Sequence, residues 1–298
     1  MSVTVRVPAK VNVQLAVGAA RPDGFHDLAN VFLAVGLYDE VTVTPADELR
    51  ITCEGPDAHQ VPLDRTNLAA RAALVLADRY GLDPAVHLHI AKDIPVAGGM
   101  AGGSADGAGA LLACDALWGT HASREELLDI CAELGSDVPF SLVGGAALGT
   151  GRGEKLRTLD VGGTFHWVFA MADRGLSTPA VFREFDRLGE GTDIPEPVAS
   201  EPLLDALAKG DPDALAAAVS NDLQPAALSL FPQLADTLAA GRAAGAMTGL
   251  VSGSGPTTAF LARDAESAEK VAAGLRASGT CRDVRRTSGP APGATVIG

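Results

Sequence analysis

The stretch I-P-V-A-G-G-M-A-G-G-S-A-D-G-A-G-A-L-L-A-C-D-A-L-W, residues 94 to 118, decides how this chain is read. An alternating segment, residues 85 to 91, leads into it as a short strand, and a small-residue apolar helix leads out. Between them stand Gly98, Gly99, Gly102 and Gly103, then Ser104 and Asp106. Glycine admits positive φ and lets a ligand approach bare backbone. Ser104 or Asp106 is the expected helix cap. The first-turn amides and the positive end of the helix then make an anion site. Four glycines within six residues carry a large entropy cost for a mere connection. The loop is therefore read as a cradle for nucleotide phosphates. Neither G-x-x-x-x-G-K-[ST] nor G-x-G-x-x-G occurs, which excludes the lysine-bearing P-loop and the dinucleotide fingerprint.

Composition sets the frame around that loop. The 298 residues are 47% hydrophobic but only 4% aromatic, so small aliphatic side chains fill the core. Length and a composition shift near residues 155 to 163 suggest two domains, 1–158 and 159–298. The net charge of −14 argues against nucleic acid or an anionic membrane as partner. Cys53, Cys114, Cys131 and Cys281 have no metal-ligand spacing and read as reduced thiols of a cytoplasmic protein. The N-terminus has no signal-like apolar segment, and no unbroken apolar run of about 18 residues suggests a span.

Residues 3 to 17 alternate, with Val3 to Val17 on one face and Lys10, Asn12 and Gln14 in a row on the other. A solvated face is the plain reading of that row. R-P-D-G-F-H-D-L, residues 21 to 28, is a turn followed by Phe25 and His26, which suit either packing or stacking on a flat ligand. Two strands are expected within residues 30 to 44, and a helix begins at Thr66 or Asn67 and stops at Gly81. His87 and His89 share a strand face without a third metal ligand. Ser123 and Glu126 form a capping box. Asp137 lies in the apolar setting G-S-D-V-P-F, where a carboxylate is costly unless it is paired, capping or employed. In the second half Thr178 is the expected cap of a helix, and residues 188 to 202 form an acidic loop. Helices follow at 202 to 220 and 232 to 244, then S-G-S-G-P-T between two strands, and a loose tail.

Taken together, I-P-V-A-G-G-M-A-G-G-S-A-D, S-G-S-G-P-T at 252 to 257 and P-A-K-V-N-V-Q-L at 8 to 15 resemble the three motifs of the GHMP kinases. R-P-D-G-F-H-D-L and G-S-D-V-P-F narrow the resemblance. They point to the branch that phosphorylates a cytidine-diphosphate-linked methylerythritol in the non-mevalonate route to isoprenoids. It runs from Pro8 to about Phe260, in order. The implied fold is a two-domain α+β kinase, with a half like the second domain of ribosomal protein S5 and a ferredoxin-like half. The implied reaction is ATP-dependent phosphorylation of the acceptor's C2 hydroxyl, with Mg2+. Lys10 and Asp137 match the catalytic pair. Asp137 would accept the hydroxyl proton, and Lys10 would pair with it and help neutralise the moving phosphoryl group.

The nucleotide loop matches Pro95, Val96, Ala97, Gly98, Gly99, Met100, Ala101, Gly102, Gly103 and Ser104, with Ser104 placed to reach magnesium. Asn67 and Lys92 fall where the family lines its adenine pocket. Asn12, Phe25, His26 and Thr178 fall where it holds the cytidine-bearing substrate. Phe25 stands where relatives often have tyrosine, and Ala101 and Ala105 replace a glycine and a serine. A monomer or weak homodimer is expected. Two rivals remain: a homoserine- or mevalonate-type kinase, and a non-catalytic sensor that binds ATP and a small ligand.

Overall fold

The computed structural model describes residues 2–96 and 98–298. The first half is a forked sheet covered by helices. Its spine is β1 (Val3–Ala20) paired antiparallel with β2 (His26–Pro45) across the P-D-G turn. β2 is one bent strand rather than the expected two. The register slips between Pro8↔Tyr38 and Ala9↔Val35, so Gly36 and Leu37 bulge out while the strand continues. The second half of β2 pairs with β4 (Val86–Ala91), which lies beside β3 (Arg50–Glu54). The first half pairs with β5 (Ala146–Thr150), which turns at Gly151 into β6 (Lys155–Leu159).

A second slip, at Val13, breaks the expected alternation of β1. Asn12 opposes Phe32, but Gln14 opposes Val31 and Leu15 opposes Asn30. Opposed residues share a face. Leu15 is thereby turned away from the Val3–Val13 core, and with Val17 it joins a second apolar cluster.

Helices α1 (Leu68–Tyr80) and α2 (Gly102–Trp118) lie together on the sheet. α2 comes close because it carries glycine where it crosses β1 and β2. A Cβ on Gly109 would stand 2.8 Å from a methyl of Val7 and 2.9 Å from one of Val41. α3 (Arg124–Leu134) starts at the expected Ser123–Glu126 capping box, and α4 (Val138–Val143) follows Asp137.

The second half is an antiparallel sheet in the order β11-β7-β10-β9. Its strands are β7 (Phe165–Met171), β9 (Thr248–Val251), β10 (Thr258–Ala262) and β11 (Asp283–Gly289). α5 (Thr178–Leu188), α6 (Glu201–Lys209), α7 (Pro212–Ala218), α8 (Gln224–Leu230), α9 (Leu234–Ala243) and α10 (Ala265–Ser278) complete it. The helix expected over 202 to 220 is thus two, split where Gly210 turns left-handed and Asp211 caps a new helix begun by Pro212. α8 is an element that the sequence reading did not separate.

Alternation along β7 sends Val168 and Ala170 under α9 and α10, and Trp167 and Phe169 into the core shared with the first sheet. Two short segments return to β1: β8 (Ser220–Asn221), parallel to Gln14 and Leu15, and β12 (Thr295–Val296), antiparallel to Val5 and Arg6. The tail is therefore not loose. Ala291 is buried and bonds Gly145 and Ala34 through its backbone. Among the described residues no helix is long and apolar enough to cross a membrane.

Candidate active site

The connection from β4 to α2 is the expected glycine loop, and it interlocks with S-G-S-G-P-T between β9 and β10. The Gly98 carbonyl accepts from the Thr257 amide at 3.3 Å. The Gly99 carbonyl accepts from the Ser252 hydroxyl at 3.1 Å and from Lys10 Nζ at 2.8 Å. Gly99 has φ +74°, and a Cβ there would lie 2.1 Å from the Ser252 carbonyl oxygen, so only glycine fits. Ala97 lies outside the described residues.

Neither Ser104 nor Asp106 caps α2. The helix starts earlier, at Gly102, and its cap position is Ala101, left-handed at φ +61° with no capping side chain. The first-turn amides at Gly102, Gly103 and Ser104 have no partner within the helix and border the cavity that also holds Lys10 and Asp137.

The polar row on β1 is buried, not solvated: Lys10, Asn12 and Gln14 are 4%, 2% and 4% exposed. Lys10 Nζ bonds Asn12 Oδ1 at 2.5 Å and lies 3.7 Å from Asp137 Oδ2. Asn12 donates in turn to Asn30 Oδ1 at 2.7 Å. Burial pulls the Lys10 ammonium below the usual lysine range, and Asp137 opposes that shift. Asp137 occupies the cap position of α4 but makes no capping bond, so its carboxylate faces the lysine.

These groups line one end of a cavity of about 640 Å³. At the other end His26, buried, bonds Asp186 through Nε2 at 2.8 Å and packs on Phe182 with ring centroids 4.9 Å apart. Phe25 is 49% exposed, with the Arg152 guanidinium 4.8 Å over its ring. Thr178 is the first residue of α5, not its cap, and its hydroxyl meets Ser254 Oγ at 2.8 Å on the cavity wall.

The cavity brings together Lys10, Asn12, Phe25, His26, Gly98, Gly99, Ala101 to Ser104, Asp137 and Thr178. Pro95 and Val96 instead border a small neighbouring recess of about 40 Å³, and Met100 is fully buried. Two expected adenine contacts are otherwise engaged. The Asn67 side chain caps α1 through the Ala69 amide at 2.8 Å and donates to the Pro62 carbonyl at 2.7 Å. Lys92 Nζ is buried between Asp39 and Asp106.

Asn30, Arg152, Asp186, Gly253 and Ser254 also line the cavity and are not among the expected site residues. Gly253 and Ser254 belong to S-G-S-G-P-T, and Arg152 to a glycine-dense turn. Asp186 carries no signal in the sequence. His87 and His89 both meet Thr52 Oγ1, and no group of three metal-binding side chains exists among the described residues.

Known proteins share this arrangement. Residues 67–145 match the model of the GHMP kinases N terminal domain, and residues 203–281 the model of the GHMP kinases C terminal. A 4-diphosphocytidyl-2-C-methyl-D-erythritol kinase from Streptomyces avermitilis is 84% identical over 297 residues, covering 100% of both chains. The crystal structure of a 4-(cytidine 5'-diphospho)-2C-methyl-D-erythritol kinase, 33% identical, superposes with a TM-score of 0.76, covering 95% of this chain and 98% of that one. A homoserine kinase from Cytophaga hutchinsonii superposes equally well, TM-score 0.77, at 21% identity and with 99% and 97% of the chains covered, so the fold alone does not select the acceptor. Sequence and fold together assign the chain to the GHMP kinases, in the family of the 4-diphosphocytidyl-2-C-methyl-D-erythritol kinases.

Proposed function

We propose that the chain transfers the terminal phosphoryl group of ATP to the C2 hydroxyl of 4-diphosphocytidyl-2-C-methyl-D-erythritol, a step in isoprenoid precursor synthesis. The observation that carries this reading is the single cavity with Lys10 and Asp137 3.7 Å apart beside the glycine loop and an aromatic, hydrogen-bonding end at Phe25 and His26. Phosphoryl transfer needs alignment and charge neutralisation more than covalent help. The first-turn amides of α2 and the Lys10 ammonium supply positive potential where the transferred group would lie. The acceptor oxygen bonds to phosphorus as the bond to the ADP oxygen breaks, and Asp137 takes the hydroxyl proton. Asn12 and Asn30 hold Lys10 in place, so its charge needs no reorganisation.

The cytosine is assigned to Phe25, His26 and Phe182, with Asp186 orienting the imidazole and Thr178 at the wall between the two ends. Magnesium would be held mostly by phosphates and water, with Ser104 as a protein ligand. That fits a hard cation arriving with the nucleotide, since the described residues contain no acidic cage. Bound there, it would neutralise phosphate charge.

We assign the nucleotide-loop half to residues 1–158 and the other to 159–298, and place the protein in the cytoplasm as a monomer or weak homodimer. ADP release with ATP, magnesium and the cytidine-linked acceptor tests the reaction. Turnover should fall at least ~10²-fold in Asp137→Asn and in Lys10→Ala. No turnover in the parent, with ATP binding retained, would reject this acceptor. Competition by CMP or CDP separates the proposed acceptor from homoserine or mevalonate, which carry no cytidine.

A further inference from the structure

Behind the phosphate loop, on the side away from the cavity, lies a buried charge cluster that the reaction does not use. Lys92 follows β4, Asp39 sits on β2, and Asp106 is on the second turn of α2. All three are 4% exposed or less. Lys92 Nζ contacts Asp39 Oδ2 and lies 2.9 Å from Asp106 Oδ2.

The cluster grips the loop at both ends. Asp39 Oδ1 accepts from the amides of Asp93 and Ile94, at 2.7 and 2.8 Å, where the chain leaves β4 for the loop. Asp106 lies four residues beyond Gly102, where the loop becomes α2. Lys92 touches that same junction, since a Cβ on Gly102 would stand 2.9 Å from its Nζ. A helix that begins without a capping side chain has no local device to fix the direction of its free amides. Here the ion pairs hold the start of α2 from behind and bond none of those amides.

Such an arrangement is costly as a source of stability, because desolvating buried charges cancels much of their attraction. One ammonium faces two carboxylates, and Asp106 Oδ1 has no partner among the described residues.

We propose that Lys92, Asp39 and Asp106 are positioning residues for the nucleotide: they fix both ends of the phosphate loop and so set the affinity for ATP but not for the acceptor. The proposal rests on the kinase reading above, although its main readouts need no acceptor.

The test compares the parent with Asp106→Ala, Asp106→Asn and the double variant Lys92→Met/Asp106→Met by melting temperature, ATP titration calorimetry and steady-state kinetics. Asp106→Ala should weaken ATP at least tenfold, in Kd and in KM, with the acceptor KM within twofold of the parent. Asp106→Asn, which keeps an oxygen for Lys92, should stay within threefold. A folded Asp106→Ala with parental ATP affinity would overturn the proposal, as would ATP and acceptor constants rising together. If Asp106→Ala does not fold, the apolar double variant decides by the same ATP readout. In the parent, hydrogen exchange at Asp93 and Ile94 should be as slow as in β4, and exchange at loop rates would overturn the grip without any variant. Should the parent turn over no cytidine-linked acceptor while Asp106→Ala still weakens ATP, the substrate reading fails and the positioning role stands.

Discussion

Ala101 shows how much one methyl group reveals. It is left-handed at φ +61°, a conformation that costs an L-residue roughly 1 to 2 kcal/mol. Ala101→Gly removes that strain but adds about 0.4 to 1 kcal/mol of unfolded-state entropy. The variant should be as stable as the parent or up to ~1.5 kcal/mol more stable in urea denaturation. Ala105→Gly, in the body of α2, should lose about 1 kcal/mol or more. A clear loss in Ala101→Gly would mean that the left-handed turn is not formed in solution. At the far end of the cavity, Asp186→Asn removes the charge that orients His26. The acceptor KM should rise about tenfold and the ATP KM should not move; equal changes in both would detach Asp186 from the cytidine end.

Which residues the sequence disclosed follows the same physics. Lys10 and Asp137 stand in motifs whose order could be read, and the fold brings them within 3.7 Å. Asn67 and Lys92 stand in matching positions too, yet their side-chain atoms are taken by a helix cap and an ion cluster. Position in a motif fixes the backbone; where a long side chain points depends on partners far along the chain.

Among the elements, β1 carries most of the difference between expectation and structure. Alternation identified the strand, but its partner strand decides where the alternation reverses. The slip at Val13 moves Leu15 to the cavity side, and no local signal marks it. Gln14 beside it gains a role that composition could not suggest. Its amide donates to the Val198 carbonyl and accepts from the Ser200 amide, both at 2.8 Å, and so pins the end of the acidic loop before α6. Gln14→Ala removes two part-buried hydrogen bonds, at a cost of about 1 kcal/mol. Hydrogen exchange and protease cutting should increase around residues 190 to 200 and little elsewhere. An unchanged pattern there would show that Pro197 packing on Gly18 is sufficient.

At the scale of the whole molecule, the two sheets are tied by more than apolar contact. Asp57, in the segment after β3, makes a two-point bond to Arg282, just before β11, at 2.6 and 2.9 Å. The Arg282 guanidinium holds the Asp57 carboxyl below the usual carboxylate range. The sign follows: the unfolded chain binds the proton more tightly, so the bond contributes fully above the ordinary value near 4 and is lost as pH falls through the lower folded value. Because Arg282 is 40% exposed, about 1 kcal/mol is the scale at neutral pH. Asp57→Asn should lower the melting temperature at pH 7 by a few degrees, and the gap should close toward pH 3. A gap independent of pH would assign the effect to packing.

The return of β12 to β1 has a consequence for how the protein is made. Val5 pairs with Val296, so the strand that carries Lys10 leaves the ribosome 291 residues ahead of that neighbour. At roughly 5 to 20 residues per second, the interval is about 15 to 60 seconds. Throughout it, the V-T-V-R-V edge of a growing sheet stands open to any other extended chain, a hazard that edge strands carry in general. Translation speed and early chaperone contact, rather than final stability, should therefore govern the yield of this protein.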